Sequence, residues 1–120
     1  MTGQNQEYTT NTEATRIYAR QGVLAATAIN SGALLATLGQ ASELKGLPGV
    51  ACAFNFWAIG LAISTSLWLF AYAANNAFTA GKQTANEIWS RFGIVGFVAA
   101  IGCFIAGCLE LSKVFLAVIP

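Results

Sequence analysis

Three long stretches of this chain hold almost only apolar and small residues, and charged residues stand at their edges. Between Arg20 and Glu43 there is no charge over 22 residues, between Lys45 and Lys82 none over 36, and between Arg91 and Glu110 none over 18. A helix needs about 20 predominantly apolar residues to cross the hydrocarbon core of a bilayer. Each gap therefore predicts one span, at about 20–38, 50–72 and 92–109. None alternates with the period of two that a half-buried strand shows. In lipid the backbone must satisfy its own hydrogen bonds, which a helix does within one segment. The pattern predicts an all-α membrane protein, with three transmembrane helices in an antiparallel bundle and a short polar N-terminal tail.

The edges of these elements have local signals. Residues 1–9 hold too little apolar surface to offset ordering, so they read as a flexible tail, with 10–120 as one three-helix domain. The apolar stretch that follows is too long and starts too far in for a cleavable signal segment. Thr10-Asn11-Thr12-Glu13 and Thr84-Ala85-Asn86-Glu87 both match the capping box, in which Thr accepts from the N3 amide and Glu reaches back. They predict that the first and third helices start in water, just ahead of their apolar runs. Leu47-Pro48-Gly49 breaks the chain between the first two spans, and so short a connection makes antiparallel neighbours.

Composition strengthens this picture. The chain is 56% hydrophobic and 9% charged, with mean hydropathy +0.60, whereas soluble domains carry about 25% charged residues. A chain this small leaves much of itself at the surface, so lipid must replace water over much of that surface. The net charge of +1, without a basic run, gives no footprint for nucleic acid. The charges instead bear on orientation. Arg16, Arg20, Lys82 and Arg91 fall on one side, Lys45 and Lys113 on the other, which favours a cytoplasmic N-terminus and a C-terminus outside. Tyr18, Trp89, Trp68 and Tyr72 mark an interfacial aromatic belt on the first side. Trp57 lies deeper, and packing on a neighbouring helix or lipid accounts for it.

Polar and small residues inside the spans speak for packing. Helices in lipid associate by close approach and inter-helix hydrogen bonds. Ala28, Gly32 and Ala36 form a small ridge at four-residue spacing on the first span, with Asn30 beside it. At 1.5 Å per residue, Asn30 comes to the depth of Gly60 on the second span, where Ser64 is a further small residue. Gly96, Ala100, Cys103 and Gly107 continue the theme on the third. Asn30 is thus expected to bond across a close helix contact. The alternative is a polar path lined by Asn30, Asn55, Ser64 and Thr65, against which stands the lack of ionisable groups that usually mark such paths. Glu110 and Lys113, three apart on one helical face, read as an interfacial ion pair with Lys113 reaching water. The other reading places the pair within the bilayer.

Candidate chemistry is sparse. The chain has no histidine, the usual general base and commonest metal ligand. Asp is absent and the Glu residues are scattered. Cys52, Cys103 and Cys108 lie in spans without metal-ligand spacing and read as packing groups, with a disulfide between Cys52 and Cys108 as the less favoured alternative. No catalytic residue, metal or cofactor is expected, and an enzyme is not.

Ile29-Asn30-Ser31-Gly32-Ala33-Leu34-Leu35-Ala36 resembles the first membrane helix of a widespread set of small bacterial or prophage membrane proteins, in which a basic residue and an apolar run precede an I-N-G-G-A-like segment. The resemblance covers mainly residues 16–39, and Ser31 stands where that pattern has glycine. It implies a bacterial inner membrane and carries over no activity and no functional residue. Three function classes are then weighed. The first is an accessory or structural subunit that packs with itself or a larger membrane complex. The second is a holin-like or defence-related permeabilising protein, against which stands the apolar tail VFLAVIP. The third is a transporter or channel subunit, against which stand the few ionisable groups.

Overall fold

The computed structural model describes the backbone of residues 2–118 and the side chains of Glu13, of residues 16–114 and of Leu116. The described chain is helical, with α1 at Thr2–Gly39, a single-turn α2 at Ala41–Leu44, α3 at Val50–Thr79 and α4 at Gln83–Val118. Segments Arg16–Gly39, Val50–Thr79 and Gln83–Val114 are each long and apolar enough to cross a membrane. They pack antiparallel in an elongated bundle of 69 × 24 × 20 Å.

α1 differs from expectation at its start. The helix begins at Thr2 and runs unbroken through the polar stretch expected to be a flexible tail. Between Gln4 and Gln21 there is neither Gly nor Pro, and once a helix is nucleated each further residue adds a hydrogen bond without a new nucleus. Thr10 therefore lies inside α1 and not at its cap. Similarly α4 begins at Gln83, which puts Thr84 in its first turn, and the amide of Asn86 donates to the Lys82 carbonyl, 3.0 Å. The turns themselves follow the expected chemistry. Gly49, at φ 90°, leads into α3, and Gly81, at φ 70°, sits in the tight turn before α4, a conformation that glycine adopts without steric penalty.

The distribution of bulk is inverted relative to a water-soluble fold. The buried apolar positions include Ala26, Ala53, Ala77 and Ala100, while Leu35, Leu69, Val95, Val98 and Leu116 stand on the outside. Water would not tolerate so much contiguous apolar surface on a small protein. Hydrocarbon does, and it leaves close packing as the force between helices. Two large side chains break the pattern: Trp57 and Leu67 are only 3% and 2% exposed.

Candidate functional site: a core of knobs in glycine gaps

α3 and α4 form the tighter pair, and α1 lies mainly against α3. Along the α3–α4 seam a large or polar side chain repeatedly enters the space of a missing one. The Trp57 indole occupies the place a Cβ would take at Gly107, and its Nε1 donates to the Phe104 carbonyl, 3.2 Å. Leu67 fills the gap at Gly96, where its Cδ2 would lie 2.6 Å from an added Cβ. At the far end Gly49 is seated against Val114 and the Glu110 carbonyl. Toward the opposite end Phe70 stacks on Trp89 and Phe92, with ring centroids 6.0 and 6.2 Å apart.

The third gap belongs to α1. Asn30 is fully buried, and its Nδ2 donates to the Ala26 carbonyl at 2.9 Å and to the Ala100 carbonyl on α4 at 3.3 Å. Two carbonyl acceptors fix which end of the amide is nitrogen. Oδ1 is therefore turned the other way. It lies where a Cβ of Gly60 would be, and it accepts no hydrogen bond within the chain. One carboxamide thus touches all three long helices. Ser64, also buried, donates to the Leu61 carbonyl of its own helix, 3.0 Å.

The structure brings together Asn30, Gly60, Gly96, Ala100 and Gly107, and it buries Ser64. It does not bring the α1 ridge to this core. Ala28, Gly32 and Ala36 face outward, and a Cβ at Gly32 would meet nothing within 4 Å. The face of α1 that packs is Ala26, Asn30 and Thr37, spaced by four and seven. Residues two apart stand about 200° apart around a helix, so placing Asn30 inward turns Ala28 and Gly32 out. Thr37 was the missing signal, a second polar residue two turns from Asn30 and bonded to the Ala33 carbonyl, 2.9 Å.

The alternative polar path does not assemble either. Asn55 and Thr65 lie on the outside of α3, and Thr65 Oγ1 turns back to the Leu61 carbonyl, 2.9 Å. Cys52, Cys103 and Cys108 are free thiols, and Cys103 Cβ faces Gly60. Among the described residues no cluster of three His, Cys, Asp or Glu side chains could hold a metal. Glu110 and Lys113 form the one ion pair among the described residues, with Lys113 67% exposed. Because the Glu110 carbonyl borders Gly49, the pair stands level with the connection into α3, at the end of the bundle.

No protein family, curated protein or solved structure matches the chain.

Proposed function

We propose that this chain is a small non-catalytic subunit of a bacterial inner-membrane complex, with its N-terminus cytoplasmic and its C-terminus outside. It acts by offering a helix surface to a larger membrane partner or to further copies of itself. The observation that supports this reading is the outward ridge of Ala28, Gly32 and Ala36. Three small residues at four-residue spacing let another helix approach closely, and all three are exposed, with nothing within 4 Å of a Cβ added at Gly32. The excess of Arg16, Arg20, Lys82 and Arg91 at one end supports the orientation.

The test is affinity purification of the full chain in mild detergent, beside Gly32→Leu. The added side chain enters open space within the chain, so the variant keeps its helix content while its assembly is lost. A stoichiometric companion, or a defined homo-oligomer, that disappears in Gly32→Leu supports the proposal. A monomer without a companion, or assembly indifferent to Gly32→Leu, overturns it. Rapid collapse of membrane potential on induced expression points instead to the permeabilising class.

A further inference from the structure

Near the end of the bundle that holds the Gly81 turn, α1 no longer seals against the other helices. N-terminal to Ala26 no described α1 side chain is buried, and a cleft opens between α1, α3 and α4. It has two arms of about 540 and 420 Å3, which share Ala19, Val23, Ala71, Ala74 and Ser90. Small residues on every wall keep it open. Both volumes fall within the range of ligand sites, roughly 300–1,000 Å3.

The arms differ in chemistry. The first has Arg16 and Arg20 on its rim with Asn75, Asn86 and Ser90 nearby, and no carboxylate lines it. The Arg16 guanidinium is held over the Phe78 ring, 5.5 Å from its centroid, which orders a charged group without neutralising it. The second arm is apolar, walled by Gly22, Leu67, Phe70, Ile94 and Phe97, with Tyr18 and Trp89 at its side. Tyr and Trp are residues of the membrane–water interface. Two cations, one of them ordered on a ring, with amide and hydroxyl donors beside an apolar slot, suit a ligand that joins an anionic head group to an acyl chain.

We propose that this cleft binds one anionic phospholipid, its head-group phosphate against Arg16 and Arg20 and an acyl chain along the Phe97 arm. Basic residues near a bilayer surface attract anionic lipid by about fivefold each, so the pair supplies a preference of roughly twenty-five-fold over a zwitterionic lipid. The proposal stands apart from the assembly reading, because Gly32 lies on another stretch of α1.

The test uses the full chain in phosphatidylcholine vesicles containing either brominated phosphatidylglycerol or brominated phosphatidylcholine. Trp68 and Trp89 line the two arms, while Trp57 is buried beside Gly107, so bromine quenching of fluorescence reports occupancy. Brominated phosphatidylglycerol is expected to quench at a far lower mole fraction than brominated phosphatidylcholine. The double variant R16Q/R20Q, in which both arginines are exposed, is expected to lose that preference with helix content unchanged. Gly93→Leu places a side chain in the apolar arm, where an added Cβ meets no protein atom within 4 Å, and is expected to reduce the specific quenching while both arginines remain. Equal quenching by the two lipids, a preference that survives R16Q/R20Q, or unchanged quenching in Gly93→Leu overturns the proposal. Displacement of the brominated lipid by millimolar inorganic phosphate also overturns it, since the cleft would then be an anion site indifferent to lipid.

Discussion

Gly60→Ala puts one methyl group at the point where the three long helices meet. The new Cβ would overlap the carboxamide of Asn30 on one side and stand 3.0 Å from Cys103 Cβ on the other. Asn30 could swing away only by giving up its bond to Ala100, and that would leave the Cys103 contact in place. Overpacking of a tight core costs about 1–3 kcal/mol, and neighbours on both sides put this site in the upper half of that range. Replacing Gly by Ala within a helix returns about 0.8–1.0 kcal/mol. The expected net loss is therefore about 1–2 kcal/mol.

Gly32→Ala is the internal control, because its Cβ meets nothing and only the helix-propensity gain of up to about 1 kcal/mol applies. Unfolding of both variants in mixed detergent micelles, followed by helix circular dichroism, measures the two changes. If Gly60→Ala unfolds with wild type, or if Gly32→Ala loses as much as Gly60→Ala, the glycine-gap account of this core is refuted.

The same geometry sets the expected outcome at Trp57, Asn30 and Lys113, read for the substitutions in the same unfolding assay. Trp57→Phe forfeits the bond to the Phe104 carbonyl and is expected to lose about 0.5–1.5 kcal/mol, while Trp57→Ala empties the gap at Gly107 and loses about 3–5 kcal/mol. Asn30→Ala is expected to lose only about 0.6 kcal/mol, the average for an inter-helix bond in lipid, partly because it also removes the buried, unpartnered Oδ1; a loss above about 2 kcal/mol would mean that the amide does more than these bonds show. Lys113→Ala is expected to change stability by less than about 1 kcal/mol, as for an exposed pair. A cysteine at position 113, after the native thiols are replaced, is expected to react with a membrane-impermeant reagent, and failure to react would put the ion pair inside the bilayer.

The sequence is informative about this fold where charge is concerned and silent where packing faces are concerned. Runs without charge mark the three spans because ionised groups are costly in hydrocarbon, and the antiparallel count brings Asn30 to Gly60 because rise per residue is fixed. The inward face of α1 is another matter. On a helix surrounded by lipid both faces are apolar, so hydrophobic periodicity does not distinguish them, and the spacing of Ala28, Gly32 and Ala36 pointed to the wrong one for contacts within the chain. Asn30 is the better guide, since its amide reaches the Ala100 carbonyl of α4. For Trp57 the sequence left a neighbouring helix and lipid both open, and Leu67 gave no sign of burial, because each is buried where a glycine on α4 faces it, a relation between positions far apart in sequence.

The second acceptor for the Asn30 amide lies on α4, 70 residues further along the chain. Synthesis proceeds from the N-terminus, so α1 leaves the ribosome long before Ala100 exists. Throughout that interval the carboxamide has only the Ala26 carbonyl of its own helix within reach. A nascent chain that stops short of α4 therefore carries an unanswered donor into the bilayer, and arrival of the last helix is the event that finishes the first.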